Sequence, residues 1–169
     1  MSLTVSIRAA VDSDLEALER QIHLPSPGQH RDQLSQQAAG IVTYLVAWNE
    51  LRPVGYGLIH WPGPRDPAVA SKLSGCPEIF SLTVVETLRG RGIGRQLMAS
   101  LEQCVRERHL LQVGLGVALE NEGALRLYRR LGYCEAGVPG YIDRWEWIDQ
   151  SGESHTEADP CIFLIKELQ

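Results

Sequence analysis

The residues of this chain best suited to chemistry form the run Arg89, Gly90, Arg91, Gly92, Ile93, Gly94, Arg95. It stands between an apolar β-type segment and an amphipathic helical one. Glycines at such a junction let the backbone approach a ligand closely, and the unpaired N–H groups of a helix's first turn attract phosphate oxygens. The arginines add charge-assisted contacts, enough to suit a pyrophosphate with a further phosphate nearby. Two other phosphate motifs fail on spacing: a P-loop needs Lys then Ser or Thr where Arg95-Gln96 stands, and a dinucleotide fingerprint needs glycine in place of Arg95. The competing reading is a helix start made glycine-rich for tight packing, at a cost in helix stability.

The elements that must position this turn follow from periodicity. A strand over 5–9 precedes a helix opened by Asp12 or Asp14, with Leu15, Leu18 and Ile22 on one face, closed by the proline- and glycine-bearing stretch 24–28. A short helix over 31–39 has Leu34 as its only large apolar residue and would line a cleft. Two β-rich runs, 42–48 and 54–61, read as a hairpin turning at 49–53. Residues 62–77, with four prolines and two glycines, are expected to form a loop long enough to cover a site. Next come a strand over 78–85, the glycine-rich turn, and a helix with Ile93, Leu97, Leu101 and Val105 in register. A strand over 112–117, a short helix over 124–131 closed by Gly132, and two strands within 133–147 and 161–168 around a polar loop complete the chain.

The 169 residues suit one domain over 1–169 with a real core, and 44% hydrophobic with 22% charged residues is an ordinary globular composition. The net charge of -5 argues against a nucleic-acid partner, which needs clustered Lys and Arg. No segment offers the roughly 20 unbroken apolar residues of a membrane span or the pattern of a signal peptide, so a cytoplasmic protein without a membrane partner is expected. Cys76, Cys104, Cys134 and Cys161 lack metal-ligand and paired spacings. They are read as small buried apolar residues, with no metal expected.

The glycine-rich turn resembles the main signature of the GCN5-related N-acetyltransferase (GNAT) family: Arg or Gln, two residues, Gly, one residue, Gly or Ala. Arg89, Gly92 and Gly94 carry that likeness. A second family pattern is matched in register by Asn121, Ala124, Tyr128, Gly132 and Tyr133, so that the motif-bearing likeness runs from about 78 to 133. The resemblance implies an α/β fold: a mixed, mostly antiparallel sheet of six to seven strands, helices on both faces, and a V-shaped splay between two central parallel strands. It also implies acetyl-coenzyme A as cosubstrate, lying between strands that end near Val84 and Val117. Its contacts are expected from Leu82, Val84, Val85, Arg89, Gly90, Arg91, Gly92, Ile93, Gly94, Arg95, Asn121, Ala124 and Tyr128, with backbone N–H groups around Val84 and Val85 polarising the thioester carbonyl.

By the same resemblance, Tyr128 stands where family members protonate the departing thiolate. A phenol with pKa near 10 gives a proton to a thiolate of pKa near 8.5 at modest cost. Its other reading is a core aromatic beside Leu125 and Leu131. The acceptor amine must lose a proton, which costs roughly 4 to 5 kcal/mol at neutral pH for an alkyl ammonium. Glu78, at the start of the central strand, stands where some relatives carry a base, and also reads as a solvated strand-end residue. His60 is the substitute candidate.

Residues 135–159 hold seven acidic residues against Arg144 alone, about -6, and include Trp145 and Trp147. Such a segment suits a cationic acceptor amine, while its ordinary reading is a solvated hairpin with a charged rim. The expected activity is transfer of an acetyl group to a primary amine by direct attack in a ternary complex, in a monomer or homodimer. The alternatives are a non-catalytic acyl-coenzyme A sensor and an interaction domain without coenzyme A affinity.

Overall fold

The computed structural model describes residues 3–169; the first two residues of the expected 1–169 domain lie outside the described residues. In chain order the elements are β1 (Ser6–Ala9), α1 (Leu15–Gln21), α2 (Gln29–Ala38), β2 (Val42–Asn49), β3 (Arg52–His60), α3 (Pro67–Ala70), β4 (Glu78–Val84), α4 (Ile93–Glu107), β5 (Gln112–Ala118), α5 (Glu122–Arg130), β6 (Cys134–Glu135), β7 (Tyr141–Ile148) and β8 (Ser154–Glu167). The strands join in one sheet in the order β1, β2, β3, β4, β5, β8, β6, with β7 also paired to β8. Eight strands are present rather than six or seven, because the two-residue β6 adds a short edge to β8.

Every strand pair is antiparallel except β4 with β5, whose register is the single pair Glu78 and Gly114. The Gly114 N–H donates to the Pro77 carbonyl at 2.9 Å, and beyond that point the two strands have no further ladder pair. This is the expected splay. It leaves backbone groups on the facing edges unclaimed by the sheet, which suits pairing with an extended ligand. β4 is also irregular: Ser81 adopts φ +54°, and the register against β3 shifts between Tyr56 and Leu58.

Helices cover both faces. On one, α4 presents Ile93, Leu97, Met98, Leu101 and Val105, all fully buried, each contributing about 1.5–3 kcal/mol of apolar burial. They meet Leu45, Ile59, Ile79, Val113, Leu115 and Leu164. On the other face, α1 and α2 pack Leu18 and Leu34 onto Tyr44, Val46 and Leu58. Helix α2 is held by polar anchors more than by an apolar stripe. The buried His30 ring bonds the Tyr44 hydroxyl and the Ile22 carbonyl, each at 2.7 Å. Gln37 donates to the Ala10 carbonyl and accepts from the Tyr44 N–H, both at 2.8 Å.

Two expectations are corrected. The polar stretch between the last two strands belongs largely to a long hairpin, β7 with β8, whose register runs from Tyr141 opposite Cys161 to Ile148 opposite Ser154. Its turn is organised by Asp149, whose carboxylate accepts from the Ser151 N–H and hydroxyl and from the Glu153 N–H. A ribbon open to solvent along much of its length lacks the apolar alternation that marks a half-buried strand. Of the cysteines, Cys76 and Cys161 are buried, but Cys134 is exposed on the edge strand. Among the described residues, no helix is long and apolar enough to cross a membrane.

Candidate active site

The turn between β4 and α4 uses its glycines for conformation. Gly90 and Gly92 have φ of +75° and +83°, a left-handed region that side chains other than glycine enter at a cost, and Gly92 is the N-cap of α4. The first helical bond runs from the Gln96 N–H to the Gly92 carbonyl, so the N–H groups of Ile93, Gly94 and Arg95 have no partner inside the helix. At Gly94 an added methyl would meet Leu127 and Val84 at the ordinary contact distances of 3.7 and 3.9 Å, so the packing leaves room for one there. The Arg89 side chain donates to the Val84 carbonyl at 3.1 Å, tying the turn to the end of β4.

These groups border a cavity of about 830 Å³ between β4, the turn and α5. Leu82 and Val84 give one wall; Arg89, Gly90, Gly92, Ile93, Gly94 and Arg95 give the floor; Ala124 and Tyr128 close the far side. The Ile93 side chain is turned into the core, leaving its backbone to the cavity. Arg126 and Arg130 also reach this wall. A turn with free N–H groups, two left-handed glycines and four arginines around one cavity fits a pyrophosphate-bearing ligand.

Three expected contacts fall elsewhere. The Val85 N–H donates to the Val54 carbonyl at 3.0 Å, so it is not available to a thioester oxygen. The Asn121 side chain accepts from the Ala124 N–H at 3.1 Å and caps α5, a role that spends its carbonyl oxygen locally. The Arg91 carbonyl accepts from the Leu3 N–H at 3.1 Å, and Arg91 is not part of the cavity wall.

Tyr128 is a core aromatic that also reaches the cavity border. It is largely buried, packs edge-on to Tyr133 at 6.0 Å, and belongs to the core cluster under α4. It also borders the cavity, and burial pushes its hydroxyl pKa up to about 12. Complete proton transfer to a thiolate is therefore costlier than for an ordinary phenol. Tyr133, in turn, donates to the buried Glu102 at 3.1 Å, and Lys166 binds the same carboxylate at 2.8 Å. The end of α5 is thereby fixed against α4 and β8.

A second cavity, of about 870 Å³, opens where Ser81, Thr83, Gly116 and Ala118 face away from the first. Its floor holds Glu78, only 3% exposed. That carboxylate accepts from the Arg65 backbone N–H at 2.6 Å and from the Arg65 guanidinium at 3.3 and 3.4 Å, while the guanidinium stacks on Phe80 at 4.2 Å. Glu78 is thus neither solvated nor loose, and the loop over 62–77 supplies its partner. That loop also contains the single turn α3, capped by Asp66. His60 stands directly opposite Glu78 in the sheet, but its Nδ1 bonds the Gly63 carbonyl at 2.6 Å, which engages it in holding the loop. The rim is acidic, with Asp66, Asp143, Glu146 and Asp159 against Arg65 and Arg144.

The Acetyltransferase (GNAT) family model matches residues 9–133. The chain belongs to the GNAT acetyltransferase family. Over 61 residues it is 39% identical to an uncharacterised N-acetyltransferase of Methanocaldococcus jannaschii, a match that covers 36% of this chain and 27% of that relative, so the chain spans about a quarter of the relative's length. Among solved structures it is similar to the ribosomal-protein-alanine N-acetyltransferase of Brucella melitensis, with 27% identity, 96% of this chain and 99% of that chain covered, and a TM-score of 0.66. The PaiA N-acetyltransferase of Thermoplasma acidophilum, solved with coenzyme A, shares the fold at 13% identity and a TM-score of 0.69, with 98% and 99% of the two chains covered.

As a GNAT member, the chain has its signature residues where the geometry has use for them, in the turn and along α5. The sequence reading missed Arg126 and Arg130, whose arginine-rich helix carries no signal beyond charge on one face. It also missed Arg65, Gly116 and Tyr141. Arg65 lies in an irregular loop, and Gly116 and Tyr141 come together only through the pairing of β5, β8 and β7.

Proposed function

We propose that this GNAT protein transfers an acetyl group from acetyl-coenzyme A to a primary amine by direct attack within a ternary complex. The observation that carries the reading is the pair of cavities on opposite faces of β4, beside the splay from β5. One has a phosphate-suited floor, and the other has a buried carboxylate. The cosubstrate supplies the activated acyl thioester. In this reading the N–H groups of the α4 first turn and the surrounding arginines hold its phosphates, and backbone along Leu82 and Val84 lines its pantetheine arm.

Glu78 takes the proton that the acceptor ammonium must lose before its nitrogen is a nucleophile. Arg65 holds the carboxylate in place. The new C–N bond forms as the C–S bond breaks; the second proton that the nitrogen sheds on becoming an amide neutralises the departing thiolate, to which the Tyr128 hydroxyl donates a hydrogen bond. The acidic rim and Trp145 suit an acceptor that carries positive charge. The test is free-thiol release from acetyl-coenzyme A against a panel of amines, with calorimetric coenzyme A binding in parallel. Saturable, amine-dependent release supports the reading; tight binding with no release on any amine replaces it with the sensor reading.

A further inference from the structure

Tyr141 and Gly116 form a matched pair at the splay. A methyl group on residue 116 would lie 2.1 Å from the Tyr141 hydroxyl oxygen and 3.4 Å from its ring carbon Cζ, so the phenol reaches this place only over a glycine. Tyr141 arrives from β7, opposite Cys161 of β8, which is itself opposite Ala118 of β5. Gly116 follows closely on Gly114, where the pairing of β4 with β5 ends. The hydroxyl therefore stands where a group passing from the first cavity through the gap between the two strands enters the second. Among the described residues it has no hydrogen-bond partner, although it faces the cavity that holds Glu78. Burial, and next the nearby Glu78, push its pKa up, so it is a neutral phenol with a proton to share.

What this donor serves follows from the acceptors that meet it there. Glu78 already takes the Arg65 backbone N–H and guanidinium. The nitrogen of the attacking amine must keep its lone pair for the acyl carbon, so a donor bound to it would oppose the reaction. The acyl carbonyl oxygen is left, and it gains negative charge as the nitrogen attacks. The Val85 N–H, expected at that oxygen, is taken by the Val54 carbonyl. Resting on the acetyl-transfer reading, we infer that Tyr141 donates a hydrogen bond to the thioester carbonyl oxygen and stabilises the charge that develops on it. Attack moves the carbonyl π pair onto oxygen, and that pair returns as the C–S bond breaks, so the phenol keeps its proton throughout. A fixed donor that binds the charged oxygen more strongly than the neutral carbonyl lowers the barrier. Tyr141 is then a catalytic residue supplied by the β7–β8 hairpin, outside both sequence motifs.

The test reads the carbonyl itself, by infrared difference spectroscopy of acetyl-coenzyme A isotope-labelled at the carbonyl carbon and bound to wild type, Tyr141→Phe, Gly116→Ala and the double variant. A donated hydrogen bond weakens the C=O bond, so the band of the wild-type complex should lie at lower wavenumber than that of Tyr141→Phe. With the best amine from the panel, loss of one donor to the developing oxyanion should lower kcat about 100-fold, while the amine KM and coenzyme A affinity change less than about threefold. Gly116→Ala should move the band as Tyr141→Phe does and add less than about threefold to its kcat loss in combination, because the oxygen that the methyl would strike is gone. If Gly116→Ala fails to fold, Tyr141→Phe decides alone. A band that does not move in Tyr141→Phe overturns the proposal, and weakened amine binding beside it would place the hydroxyl on the acceptor instead. A shifted band in a wild type that acetylates no amine upholds the contact and sinks only the transfer reading. A wild type that does not bind acetyl-coenzyme A overturns both.

Discussion

Replacing Tyr128 with phenylalanine separates proton donation from packing. The hydroxyl pKa of about 12 lies roughly 3.5 units above a thiolate of ordinary pKa near 8.5, so full proton transfer is uphill by about 5 kcal/mol. The useful contribution is instead a hydrogen bond to sulfur as its charge develops, worth about 1.5–3 kcal/mol, or roughly 10- to 150-fold in rate. Because this phenol stays protonated far above neutrality, the ratio of wild-type to variant kcat should be flat from about pH 6 to 10. The ring keeps its place beside Tyr133, and the hydroxyl has no protein partner among the described residues, so the melting temperature should move by no more than about 2 °C. The assay is thiol release at saturating amine and acetyl-coenzyme A across that pH range. An unchanged kcat refutes the role, and a ratio that collapses between pH 9 and 10 refutes the argument from burial.

Glu78→Gln keeps an acceptor for the Arg65 N–H but no base. Its kcat/KM at pH 7 should fall about 10²- to 10⁴-fold, with the deficit narrowing toward pH 10, where the amine loses its proton unaided. A pH-independent deficit would remove Glu78 from the proton path. Gly92→Ala forces a methyl into a left-handed position, costing about 1–2 kcal/mol in thermal or chemical denaturation and weakening coenzyme A binding. Gly94→Ala, with ordinary contacts at 3.7 Å and beyond, should be tolerated in both measurements. His30 has its pKa lowered first by burial, against the Ile22 carbonyl, which favours the charged form. Its neutral form therefore stabilises fully above about pH 6.5, the unfolded value, and that stability is lost as pH falls through the lower folded value. Melting temperatures from pH 8 to 5 should show this decline, and His30→Gln should lack that component of the slope.

What was legible in the sequence is what local chemistry dictates. The apolar period of α4, with Ile93, Leu97, Leu101 and Val105 all buried, and the glycines that need positive φ can be read without a partner element. Helix α2 carries a weak sequence signal because its anchors are His30 and Gln37, and a polar residue that will be buried looks the same in sequence as one that will be solvated. Asn121 has a local role that its motif position does not announce. Its place in a motif suggests a ligand contact, and the structure gives its carbonyl oxygen a second use as the cap of α5. Arg65, Gly116 and Tyr141 were invisible because each acquires meaning only across strand pairs or loop closure.

The distribution of these residues has a physical logic. On the face under α4 the demand is for rigid, dry packing, and a periodic apolar pattern meets it. On the face that holds Glu78, a buried carboxylate is tolerable only with fixed partners, because an uncompensated charge in the interior costs several kcal/mol. Arg65 meets that need from a loop, through a short backbone bond and two longer guanidinium contacts. The guanidinium is half-exposed, so its hold can loosen while the backbone N–H keeps its place on the carboxylate. Under the proposed reaction, a cationic acceptor approaching Glu78 would meet a carboxylate that is oriented by the main chain and neutralised by a half-exposed side chain.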